Sequence, residues 1–388
     1  MRFYKLLILS CCAVFCCNKS YAISIATDAD YALVMDYDTH SVMMEKNADT
    51  PMHPASMSKL MTLYILLDKI KSGIISLDDS FLVSENAWKK GGASTGGSTM
   101  FLKVGQKVQV SDLLQGIIVQ SGNDACIVVA ENISGSEEEF VKMMNKKAAE
   151  LGLEHSHFVN TTGWPAEEHL MSARDIAKLA ELIIRNFPEY YGYFSQQSFT
   201  FNGIKQDNRN PLLFKEGKIK ADGLKTGHTA SSGYGLVASA VAPEENRRVI
   251  VVVNGTKTMK KRGEETSKLL DWAIREFTHF TVLEKGKNVG SVPVFWGEKE
   301  TVPVVVSEKI LVNVPKTEKN KIKATLNYKK PLKAPLKKGN VIGEVVVSSP
   351  YFDTITVPAL ADENVEKIGY WGEMWEKIKY LFGAKAYE

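Results

Sequence analysis

Cysteine is almost missing from this chain beyond its first twenty residues. Of five in 388 residues, Cys11, Cys12, Cys16 and Cys17 lie near the N-terminus and Cys126 stands alone. Once that stretch is removed no internal disulfide can form, so stability must come from packing, with Cys126 read as a small core residue. Charge of one sign is lacking too. Without Arg2, Lys5 and Lys19 the 48 basic residues fall to 45, equal to the acidic total. A neutral chain gives no electrostatic reason to expect nucleic acid, and the basic run at 257–262 reads as a solvated or substrate-facing loop. The glycine-rich GGASTGG at 91–97 lacks the lysine that follows in a phosphate-binding loop and reads as a mobile loop near a cleft. His155 and His157 have metal-ligand spacing without a third ligand, so no metal and no other cofactor is expected.

Arg2 and Lys5 precede an apolar run at 6–17, and Ser20-Tyr21-Ala22 places small residues where a signal peptidase reads. The reading is a signal peptide, residues 1–22, cleaved after Ala22. An uncleaved anchor is disfavoured because the run is short for a span, and a lipoprotein signal because Ile8-Leu9-Ser10-Cys11 comes too early in it.

With 44% hydrophobic residues the chain can build one large core and a smaller second one. Segments 31–36 and 41–45 flank a turn-rich Tyr37-Asp38-Thr39-His40 and predict a hairpin. Apolar spacing predicts helices over 55–71, 110–119, 124–132, 136–151 and 172–186, the last two with serine caps. Strands are expected at 223–228, 234–241 and 248–254, followed by a helix at 264–277. An early hairpin, intervening helices and late strands imply a mixed sheet covered by helices.

Three short motifs carry chemistry. Ser56-Met57-Ser58-Lys59 places a hydroxyl and an amine one turn apart on the 55–71 helix, where the helix N-terminus favours developing negative charge. Taken alone this reads first as a capped helix with a solvated lysine. Ser121-Gly122-Asn123 then follows as a loop between apolar segments, and Lys225-Thr226-Gly227 sits on a strand of small residues before His228.

Ser-x-x-Lys, Ser-x-Asn and Lys-Thr-Gly in that order resemble the penicillin-binding proteins and their β-lactamase relatives. The longer stretches SGNDAC at 121–126, SARD at 172–175, FTFNGI at 199–204, DGLKTGHT at 222–229 and LVASAV at 236–241 resemble the low-molecular-mass D-alanyl-D-alanine carboxypeptidases. The resemblance runs from about residue 23 to the end. It implies an α/β (α+β) β-lactamase/transpeptidase-like fold at 23–278, acting on peptidoglycan stem peptides that end in D-Ala-D-Ala and inhibited by β-lactam antibiotics. It further implies that Ser56 attacks the penultimate carbonyl, Lys59 takes its proton, and Ser121 relays it to the departing D-alanine. Backbone N–H groups of Ser56 and His228 would hold the oxyanion, each such donor being worth roughly 3 to 4 kcal/mol by precedent. Asn123 would hold the substrate amide, and Thr226, beside Gly227, would meet the terminal carboxylate with Arg262, which Lys260 and Lys261 neighbour closely. Bringing Lys59 from about 10.4 to near 7 needs roughly 4 to 5 kcal/mol against its ammonium, assigned to burial and to Lys225 as the second cation.

Beyond Phe280, β-branched runs at 302–306, 309–314, 322–328 and 341–347 predict a small β-domain, residues 279–362. Its lysine-rich strands read as protected edges and solvated faces rather than a binding surface. In the tail, 363–388, Val365, Ile368, Trp371, Trp375, Ile378 and Phe382 recur at helical spacing opposite charged residues. This predicts an amphipathic helix on a membrane surface, against the alternative of a helix docked on the β-domain. The protein is thus expected in the periplasm, peripheral on the inner membrane. A β-lactamase is disfavoured because Glu167-Glu168-His169-Leu170 departs from that family's Glu-x-x-Leu-Asn. A DD-endopeptidase or transpeptidase shares all three motifs. A catalytically silent peptidoglycan-binding scaffold is disfavoured because every reactive group is present.

Overall fold

A computed structural model describes residues 24–381 apart from Lys218 and Pro243; the leader assigned to 1–22 and the tail end at 382–388 fall outside the described residues. The expected hairpin forms from Tyr31–Asp36 and Val42–Lys46, closed by Thr39, whose backbone N–H and hydroxyl both donate to the Asp36 carboxylate. These strands join Arg247–Thr256, Gly233–Ala242 and Lys220–Thr229 in a five-stranded sheet, in that spatial order after Val42–Lys46 and Tyr31–Asp36. Alternation along Arg247–Thr256 shows why both faces are covered. Ile250 and Val252 enter the core beneath the helices of the central insertion, while Val249, Val251 and Val253 pack with Leu269, Trp272 and Ala273 of helix Met259–Glu276 on the other face.

The α/β fold expected from the sequence is present, with one correction within the sheet. Every neighbouring pair runs antiparallel, so the sheet is not mixed in direction. The long helical insertion returns the chain to the sheet's far edge, and the last three strands then follow as hairpins.

Within the insertion lie helices Lys59–Lys71, Asn123–Ser134, Glu137–Glu150 and Ala173–Asn186. Ser136 and Ser172 cap the last two, accepting from the N–H groups of Glu139 and Asp175. Two helices differ from expectation. The segment predicted as 110–119 is an α-helix, Val110–Gln115, that widens into a π turn, Gly116–Gln120. The helix expected at 264 starts at Met259 with Thr258 as its cap, so the basic run is a first helical turn and not a loop. Its lysines near the positive end of the helix dipole hid that start.

At Phe277 the chain passes directly from helix into strand Phe277–Leu283, which pairs with Ile310–Pro315. Beyond lies a six-stranded sheet ordered Lys323–Tyr328, Val341–Ser349, Phe352–Ala361, Thr301–Val306, Asn288–Phe295, Leu332–Lys333. It has its own core, including Val302, Val304, Val345, Val347 and Ala359. Arg247, fully buried, ties the two parts: it donates to Ala273 O and Phe277 O and lies 3.4 Å from the Asp36 carboxylate, which His279 also meets at 2.9 Å.

The tail helix starts at Tyr370 and not at 363. Val365 is buried in the β-domain and exchanges backbone hydrogen bonds with Leu336, and the Ile368 N–H donates to Trp296 O. Their apolar spacing reflects strand-like docking. Among the described residues no helix is long and apolar enough to cross a membrane.

Candidate active site

Ser56 lies in a single tight turn, Ala55–Ser58, that leads into helix Lys59–Lys71, rather than in the α-helix itself. Ala55 takes a left-handed φ of 48°, turning the chain sharply before the hydroxyl. Two glycines let neighbouring backbone close on this turn. A Cβ on Gly227 would meet Pro54 O at 2.7 Å, and one on Gly163 would meet Ala55 O at 2.0 Å. Strand Lys220–Thr229 is thereby pressed against the turn that carries Ser56.

Lys59 is fully buried. Its Nζ donates to Ser56 Oγ at 2.8 Å, Asn123 Oδ1 at 2.8 Å and Thr162 O at 2.6 Å. Ser121 follows the π turn with a left-handed φ of 59°, and its hydroxyl accepts from Lys225 Nζ at 2.9 Å. Two serine–amine pairs therefore face one another across the nucleophile's turn. Ser56, Ser121, Asn123, Thr226, Gly227, His228 and Arg262 all line one cleft of about 510 Å³, with Lys59 and Lys225 beneath it. Among the described residues no Asp or Glu lines that cleft, while Arg209 and Arg262 do, so its field is positive. Arg262 is buried on the wall and donates to Arg209 O, whereas Lys260 pairs with Glu264 and Lys261 with Asp28. His228 stacks on Tyr234 with ring centroids 3.7 Å apart.

Burial pushes the Lys59 amine down to about 8, with Arg209 adding to the shift and Cys126 and Asp124 opposing it. Burial also drives Lys225 well below its ordinary value, helped by Lys59 and Arg209. Lys59 and Lys225 act on one another, as the sequence reading expected, and Arg209 is a further cation acting on both.

Several contributors escaped sequence reasoning. Arg209 sits on the cleft, in a stretch, Asp207-Asn208-Arg209-Asn210, that matches no motif. Thr162 offers only a carbonyl, which no side-chain pattern reveals. Asp124, directly after the Ser-x-Asn motif, accepts from Thr99 Oγ1, Met100 N and Leu102 N, fixing the cleft's upper loop. The glycine-rich stretch does reach the cleft, through Gly96 and Gly97.

Sheet, helices and a lysine-paired serine in a cationic cleft define a serine hydrolase of the penicillin-binding class. Comparison with known proteins agrees. Residues 18–258 match the family model for D-alanyl-D-alanine carboxypeptidase, peptidase S11, and 277–367 match the penicillin-binding protein 5 C-terminal domain. D-alanyl-D-alanine carboxypeptidase DacC of Escherichia coli is 39% identical over 359 residues, covering 92% of this chain and 89% of that protein. The crystal structure of penicillin-binding protein 5 from Haemophilus influenzae superposes with a TM-score of 0.78 at 38% identity, over 89% of this chain and 99% of that one. Penicillin-binding protein D2 from Listeria monocytogenes in its ampicillin-bound form covers 64% of this chain, and 98% of its own length, at 28% identity and a TM-score of 0.54. The chain belongs to the D-alanyl-D-alanine carboxypeptidase family of serine hydrolases.

Proposed function

We propose that this enzyme removes the terminal D-alanine from peptidoglycan pentapeptides through an ester on Ser56, and that penicillins acylate the same oxygen. The observation carrying the proposal is the 2.8 Å contact between Lys59 Nζ and Ser56 Oγ beside a cleft that Arg209 and Arg262 line. Neutral Lys59 takes the hydroxyl proton as Ser56 attacks the penultimate carbonyl. Backbone N–H groups of Ser56 and His228 receive the oxyanion. Ser121, held by Lys225, passes the proton to the leaving amine, and D-alanine departs; water then cleaves the ester. Asn123 orients the substrate amide, and Thr226 with Arg262 receives the terminal carboxylate beside Gly227. Strand Lys220–Thr229 is the edge of its sheet, so an extended peptide can add to it as a further strand.

The chain is read as a leader at 1–22, the catalytic domain at 23–278, the β-domain from 279, into which Val365 packs, and a membrane-binding helix from Tyr370, with the enzyme in the periplasm on the inner membrane. Support for the tail comes from exposed Trp371, Met374, Trp375 and Ile378, spaced to share one helix face, with the two tryptophans 75% and 59% exposed. The test of the chemistry is D-alanine release from a pentapeptide ending in D-Ala-D-Ala. Ser56→Ala is expected to abolish release and penicillin labelling, and Lys59→Ala to lower both by at least about a hundredfold. Undiminished release by either variant overturns the assignment.

A further inference from the structure

The tail that is read as membrane-binding carries no net charge: from Asn364 to the end there are four lysines and four glutamates. Its apolar face can enter the interface, but the helix alone has no preference for anionic lipid. Charge of one sign is concentrated elsewhere, between Lys329 and Lys338, where five lysines stand without an acid among them and Lys338 pairs with Asp362. The fold brings this segment to the root of the tail. Strand Leu332–Lys333 pairs with Val294 and Phe295, and the next residue, Trp296, accepts the Ile368 N–H two residues before the helix begins. Lys333 and Lys367 lie over the same Trp296 ring, at 5.4 and 5.6 Å from its centroid. Both are exposed, as are Lys330 and Lys337.

We propose that this lysine-rich collar of the β-domain, centred on Lys333 at the root of the tail, is a docking surface for the phosphate headgroups of anionic bilayer lipids. The inference rests on the membrane reading of the tail and adds its lipid preference. If the helix lies in the interface, its first residue brings the collar within about one Debye length, ~10 Å, of the headgroups, where charge attraction persists. Each lysine held there is worth about 1 kcal/mol, or about fivefold in partitioning. Stacking on an indole holds Lys333 in place without neutralising it, since the ring offers a π face and no formal charge.

The test is sedimentation of full-length mature protein with vesicles of phosphatidylcholine alone or mixed with phosphatidylglycerol. Lys330→Glu/Lys333→Glu/Lys337→Glu is compared with the parent and with a chain ending at Gly369. The collar predicts that the parent prefers the anionic vesicles, and that the triple variant loses this preference by at least about tenfold while keeping its binding to phosphatidylcholine and its D-alanine release. Equal binding of the parent to both vesicles, or an unchanged preference in the triple variant, overturns the collar and leaves the tail reading intact. Failure of the parent to bind either vesicle, or full binding by the truncated chain, instead removes the tail reading and the inference with it.

Discussion

At Gly227 the strand that lines the cleft closes on the turn that bears Ser56. Gly227→Ala puts a methyl 2.7 Å from Pro54 O and 3.2 Å from Met57 Cγ, so strand or turn must move. Displacement on the ångström scale at a reacting centre costs about a hundredfold, and penicillin acylation measured by stopped flow should fall by that order. The amines make a pH prediction. With Lys59 at about 8 and neutral amine required, kcat/KM should climb between pH 7 and 9 and level off above. Arg209 presses this value down, so Arg209→Gln, which keeps the backbone carbonyl that Arg262 uses, should move the inflection upward. The stability sign follows from the same shift. Between about 8 and the ordinary 10.5 the unfolded chain binds the proton that the folded amine releases, so ΔG of unfolding rises with pH through that window.

At the scale of elements, Asp124 joins helix Asn123–Ser134 to the loop above the cleft by accepting from two backbone N–H groups and one hydroxyl there. Asp124→Ala leaves those donors buried and should destabilise by about 3 kcal/mol in urea unfolding. Elements with plain periodicity or caps were legible in the sequence: the hairpin, helices Glu137–Glu150 and Ala173–Asn186 with their serines, and the three long strands. Strands Phe277–Leu283, Asn288–Phe295 and Phe352–Ala361 were not, because His279, Pro293 and Pro358 interrupt the apolar alternation that marks a strand. Motif residues placed most of the cleft, since spacing along a chain carries the Ser56 and Lys59 relation directly. Arg209 and the Thr162 carbonyl reach Lys59 only through tertiary packing, which no local pattern records.

For the whole molecule, the decisive joint is Asp36, Arg247 and His279, which links first strand, last sheet strand and β-domain. Asp36→Ala removes one of two carboxylates from a fully buried guanidinium, leaving Glu245 at 3.3 Å, takes the acceptor from His279, and should lower stability by about 1 to 3 kcal/mol, read as a drop in the thermal midpoint. The β-domain thus begins as an extension of the catalytic core, without a flexible linker between them.

The bare flank of Lys220–Thr229 has a further meaning. Most proteins shield such a sheet edge, because it invites a second molecule to stack on and seed precipitation. Under the proposed function this flank stays open to an extended peptide, while the turn of Ser56 closes on it at Gly227 and Arg262 stands on the cleft wall. The surface proposed to receive the substrate peptide is therefore the one most in need of protection from copies of itself.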